Sequence, residues 1–203
     1  MEREIRTQPT GLEVRTVDGK ATLTGYAIVW DAPSKDLGGF IEVIRRGATL
    51  NCLVGATDIY ATIDHELETR NILGSRDNKT LTLWEDDKGL AFSVIPPATT
   101  TASDVIANVS AGNVRGVSFA FYCARDNWLV GQDGQRIREV LEFSALDEIS
   151  IVVRPAYPQT SVEAAKRSLA EWEQTQKPQG ETVEHALIKL ELVALTAANG
   201  YNK

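Results

Sequence analysis

The sequence predicts a mainly β fold with helices. Three observations carry that expectation. Many short segments alternate apolar and polar residues, turn chemistry separates them at short intervals, and a single mid-chain stretch shows sustained helical spacing. Short antiparallel strands in this number close into a β-barrel or stack as a sandwich, which the helices would decorate.

Taken in order, Leu12–Val17 alternates, and Asp18-Gly19 supplies the turn into a return strand over Ala21–Trp30. An Asp-Gly pair between alternating runs is a strong hairpin signal, because both turn positions need positive φ. Asp31–Ser34 and Gly38-Gly39 mark a loop, Phe40–Ile44 a strand, and Ala48–Leu53 a short helix. Ile59–Ile63 is a strand running into Asp64-His65-Glu66. Leu73–Ser75 and Leu81–Glu85 follow, and the turn Asp86–Gly89 leads into Leu90–Ile95, which Pro96-Pro97 ends. Thr101–Asp104 offers N-cap residues for a helix with Val105, Ile106 and Val109 on one side, closed by Gly112. Val117–Tyr122 is a strand, Leu129–Gln135 a polar loop, and Arg136–Phe143 and Glu148–Arg154 are the last strands. Composition changes after Tyr157-Pro158. Ser161–Gln174 reads as an amphipathic helix, Gln176–Gly180 as a linker and Val183–Ala198 as a second helix with two apolar rows. The expected organisation is a β domain over residues 1–160 and a helical tail over 161–203.

The 203 residues are 43% hydrophobic and 24% charged, enough to bury a core. The formal net charge of -7 argues against a nucleic-acid binder, which would carry a basic stripe. Cys52 and Cys123 are isolated, and the two histidines, His65 and His185, are far apart. Zinc needs clustered ligands, so neither a metal nor a cofactor is expected. The N-terminus lacks the apolar stretch of a secretion signal, and no run approaches the roughly 18 apolar residues of a membrane span. The expectation is a soluble, intracellular protein without a membrane partner.

Three features could carry chemistry. His65 is the single histidine of the β-rich part, delivered by an apolar strand, and imidazole is the usual proton shuttle near neutral pH. In Gly116-Val117-Ser118-Phe119-Ala120-Phe121-Tyr122, period two sends Val117, Phe119 and Phe121 to one face and Ser118, Ala120 and Tyr122 to the other. Ser118 would then be accessible and oriented, with Gly116 allowing a close approach of backbone or substrate. Asp147-Glu148 precedes the apolar run Ile149–Val153, and a carboxylate there could orient a histidine. Period two puts Glu148 opposite Ile149, Ile151 and Val153, and Asp147 on their face; Glu148 is preferred, in part for the resemblance given below, and Asp147 is the alternate. Each feature has a plainer reading as well: a structural histidine, a polar strand face and a solvated strand end.

Together these segments resemble the prohead maturation proteases of tailed bacteriophages. The matching pieces are Gly25–Trp30, Phe40-Ile41-Glu42 with Arg46-Gly47-Ala48, Asp64-His65-Glu66 with Ile72-Leu73-Gly74, and Asp87–Leu90. Gly116–Phe119, Glu148–Val152 and Pro155-Ala156-Tyr157 complete the set, which runs in order over residues 11 to 160. The resemblance implies an antiparallel β-barrel of the type found in herpesvirus maturation proteases, with Ser118 as nucleophile and His65 as general base. The herpesvirus enzymes place a second histidine third. This chain has none there, so Glu148 takes that position by resemblance. The family's frequent Phe-Gly-Phe after the serine is Phe119-Ala120-Phe121 here. The oxyanion region would lie near Arg154.

The resemblance further implies an endopeptidase acting on scaffold, or on the scaffold-like part of the major capsid protein, and on itself, inside the procapsid in the host cytoplasm. Self-association into a homo-oligomer is expected. The tail would be self-cleaved, dock on shell or scaffold, or cap the barrel. The main alternative is an inactive assembly protein of the prohead with the same fold. An ordinary hydrolase fits poorly, because no Gly-x-Ser-x-Gly elbow is present and the order is histidine, serine, acid.

Overall fold

The Asp18-Gly19 hairpin forms as its residues dictate. Strands β2 (Glu13–Val17) and β3 (Lys20–Val29) pair antiparallel through a turn with φ of 51° at Asp18 and 76° at Gly19. The computed structural model describes residues 2–8, 11–55, 57–153 and 162–176. The chain divides into two units, Met1–Lys166 and Arg167–Lys203. The sheets and the site lie in the first. Arg154, Ser161 and the helix expected over Val183–Ala198 lie outside the described residues.

Two sheets form. One is four-stranded, ordered β2-β3-β8-β7, where β7 is Leu81–Glu85 and β8 is Gly89–Val94. The other has six strands. Its path runs β1 (Arg3–Gln8), β9 (Gly116–Val130), β10 (Arg136–Val152), β5 (Tyr60–Ile63) and β6 (Gly74–Ser75), with β4 (Phe40–Ile44) also pairing β10. The mainly β expectation holds. Among the described residues the two sheets do not close into the expected barrel, since each pairs only its own strands. Nor is the pairing antiparallel throughout: β10 runs parallel to both β4 and β5. Residues of both sheets share one core, with Leu23, Ile28 and Phe92 from one and Phe119, Phe143 and Ile149 from the other. Phe121 and Phe143 stack at 4.2 Å between ring centroids. Truncating such a ring costs about 3–5 kcal/mol in a packed core.

Helix α1 (Leu50–Val54) and helix α2 (Thr100–Ser110) stand close to their expected places. The α2 cap is Thr99, whose hydroxyl accepts from Ala102 N–H, two residues before the run of cap candidates. Helix α3 (Glu163–Gln176) carries the first apolar pattern of the tail.

The long β9–β10 pair organises the rest. The two segments expected as separate strands, Arg136–Phe143 and Glu148–Arg154, run together as far as Val152 in one strand of 17 residues, β10. It stays continuous across Ser144–Asp147 because register shifts absorb the break in alternation, the last lying between Leu146 and Glu148. Gly116 permits the close approach expected of it, but the neighbour is this chain's own backbone. A Cβ there would stand 2.7 Å from Val152 O.

Candidate active site

Register alone brings the site together. Thr7 pairs Ser118, Ser118 pairs Ser150, and Ser150 pairs Thr62. Four hydroxyl residues therefore form one row across β1, β9, β10 and β5. Paired residues share a face, so all four hydroxyls point the same way. One step along the ladder, Glu148 lies between Ala120 and Tyr60 on that same face.

β5 then ends in a tight turn that folds His65 back over the row. Asp64 and His65 both have positive φ, 49° and 65°, and Glu66 N–H donates to Ile63 O at 3.0 Å. Asp and His enter this left-handed region more readily than most residues, though at some conformational cost. Ser150 Oγ accepts the His65 backbone N–H at 2.8 Å and pins the turn.

The result is a linear hydrogen-bonded chain. His65 Nε2 lies 2.7 Å from Ser118 Oγ, and His65 Nδ1 lies 2.6 Å from Glu148 Oε1. A carboxylate at Nδ1 selects the tautomer that carries its proton there, leaving the Nε2 lone pair to accept from the serine. Glu148 is wholly buried, and its other oxygen accepts from Thr62 Oγ1 at 3.1 Å. Burial pushes its carboxyl upward. The His65 hydrogen bond and charge, then Arg3 and Thr62, outweigh burial and hold it below the usual carboxylate range.

Ser118, His65 and Glu148 thus come together, and the carboxylate on the imidazole is Glu148. Asp147 does not point into the core as strict alternation requires. The register shift beside it breaks the alternation, and its Oδ2 accepts from Arg3 Nε at 2.6 Å. Ser118 is also not accessible as expected: its exposure is 0%, and its hydroxyl donates to Arg6 O at 2.9 Å while accepting from Thr7 Oγ1 at 3.2 Å. Its one proton therefore has two acceptors in reach, the imidazole and the β1 carbonyl. The sequence reading missed Arg3, Thr7, Thr62 and Ser150. Ser150 was within reach, since period two places it beside Glu148. Thr7 and Arg3 were not, because Arg3–Gln8 lacks a strong apolar alternation.

A hydroxyl, an imidazole and a buried carboxylate in line on a β scaffold define a serine-hydrolase type of arrangement. The chain belongs to the family described as caudovirus prohead serine protease, whose profile matches residues 10–175. It is 30% identical over 153 residues to the prohead protease of Enterobacteria phage HK97, covering 74% of this chain and 63% of that protein's length. Among solved structures it is similar to the capsid assembly protease of bacteriophage T4, at 10% identity and a TM-score of 0.48 over 74% of this chain and 97% of that one.

Proposed function

We propose that this chain is a serine endopeptidase of phage prohead maturation. The observation that carries the proposal is the contact chain Ser118–His65–Glu148, at 2.7 and 2.6 Å, in a member of this family. Ser118 Oγ attacks the scissile carbonyl while His65 Nε2 takes its proton, and Glu148 stabilises the imidazolium that forms. His65 then gives the proton to the leaving amine, and water hydrolyses the acyl-enzyme by the same relay. Backbone N–H groups near Arg154 would bind the oxyanion.

The substrates in this reading are scaffold, or the scaffold-like part of the major capsid protein, and the protease itself. Cleavage takes place inside the procapsid, by a self-associated enzyme. The segment after residue 160 is a docking or self-cleavage element.

The burial of Ser118 favours a second reading, an inactive assembly protein with the family fold. In the first reading, the groups that cover the hydroxyl move before a substrate reaches it. Co-expression with the cognate capsid and scaffold proteins, followed by N-terminal sequencing of the products, separates the two. The wild-type chain should generate discrete new N-termini, and Ser118→Ala and His65→Ala should generate none. Cleavage near the wild-type rate in either variant sinks the assignment, and intact substrates with the wild-type chain support the inactive reading.

A further inference from the structure

Glu148 Oε1 receives two donors from different elements, His65 Nδ1 at 2.6 Å and Arg3 Nη2 at 2.7 Å. The same guanidinium reaches Asp147 Oδ2 through Nε at 2.6 Å. The register shift between Leu146 and Glu148 is what lets adjacent residues of β10 meet one side chain. Arg3 lies N-terminal to the residues 10–175 that the family profile matches. Its backbone is fixed by pairing with Tyr122 of β9, and β1 is anchored on its other face by Arg6, which donates to Glu42 at 2.8 Å.

We propose that Arg3 is a positioning residue of the site, one that keeps Glu148 ionised and aimed at His65 Nδ1. This rests on the catalytic reading above and assigns a further member to it. The physical need is specific. In the resting state the imidazole must be neutral to accept a proton, so it gives Glu148 a hydrogen bond but no full charge. A wholly buried carboxylate with only neutral donors tends to take up a proton. A protonated Glu148 would lose the negative charge that stabilises the imidazolium. Arg3 supplies a permanent cation that cannot deprotonate, and its planar fork holds its direction on two carboxylates. Asp147 balances part of that charge, which limits its repulsion of the imidazolium. Among the described residues, the charged groups next to His65 are Glu148 from β10, with Arg3 from β1 and Asp147 joined to it, and Asp64 and Glu66 on its own turn. β5 and β9 contribute the neutral hydroxyls of Thr62 and Ser118.

Two readouts test this in the full chain with Arg3→Gln and Arg3→Lys. The first is the pH dependence of Ser118 modification by a fluorophosphonate. In Arg3→Gln the acid limb should move up by about one pH unit, so the rate at the wild-type midpoint falls several-fold, and Arg3→Lys should restore most of the limb because it keeps the charge. A uniform loss at every pH with an unmoved limb, or a lysine variant displaced as far as the glutamine one, overturns the proposal. The second is pH-difference infrared spectroscopy. The band of protonated Glu148, identified by its absence in Glu148→Gln, should emerge at higher pH in Arg3→Gln than in the wild type, and an unchanged onset overturns the proposal. This readout does not depend on catalysis. If Ser118 of the wild type resists the reagent at every pH, the protease reading suffers while the infrared onset still decides the role of Arg3.

Discussion

The two faces of β1 carry charge to different ends. On one face Arg3 meets Glu148 and Asp147 in the site. On the other, Glu4 and Arg6 join Glu42, Arg138 and Asp126 in a network whose first four members are at most 3% exposed. Arg138 donates to Glu4 at 2.7 Å, to Glu42 at 2.9 Å and to Asp126 at 2.6 Å. Burial alone would push both guanidinium groups down, but Glu42 and Glu4 outweigh it and hold them charged. Burial likewise pushes Glu42 up, and Arg6 and Arg138 bring it below its ordinary range. In this network permanent cations and carboxylates saturate one another. The site has one cation and a carboxylate beside an imidazole and a hydroxyl that can trade a proton. Burial is common to both clusters. What distinguishes the site is an imidazole in contact with both a hydroxyl and a buried carboxylate.

Substitutions can break that comparison. The largest effect is expected at Glu148→Gln, which keeps shape but favours the wrong imidazole tautomer. Ser118-dependent turnover should fall about 10³–10⁴-fold with the fold intact by circular dichroism, and a loss under tenfold would remove Glu148 from the site. Arg138→Met comes next. It leaves the buried carboxylates Glu4 and Glu42 sharing Arg6 where they had shared two arginines, and urea unfolding should show about 3–5 kcal/mol of lost stability. Turnover per folded molecule should survive, and a loss matching that of Glu148→Gln would merge the two clusters into one functional unit. The smallest effect concerns acid. Glu42 and Glu148 both have folded values below their unfolded ones, so their contribution is complete above the ordinary carboxylate range of about 4 and is lost as pH falls through the folded values. The urea midpoint should therefore hold at neutral pH and drop below about pH 4. In Arg138→Met the drop should be smaller, because Glu42 has lost one of its two arginines and its folded value moves toward the unfolded one.

Much of this was legible in residue order, for identifiable reasons. Phe40–Ile44 and Leu81–Glu85 form strands over the residues expected, because local alternation and turn chemistry agree there. Val117, Phe119 and Phe121 all face the core, as period two requires. The rest depends on pairing partners that local pattern does not encode. Parallel pairing of β10 with β4 and β5 joins segments some 90 residues apart. The edge strand β1 buries the charged side chains of Glu4 and Arg6 where an apolar alternation would put apolar ones, so Arg3–Gln8 gave no strand signal. Ser118 was expected to be open because its face reads as small and polar. Thr7, paired beside it on β1, and the His65 turn enclose that face, and neither is adjacent in sequence.

The left-handed pair Asp64-His65 bears on how such a chain tolerates change. Glycine at Asp64 would relax the backbone at once, since it enters positive φ without steric penalty. The same freedom would let the ring swing away from the hydroxyl it faces. On the protease reading, selection for thermal robustness and selection for turnover therefore pull this dipeptide in opposite directions, and a thermostable descendant with glycine there would be expected to have given up speed.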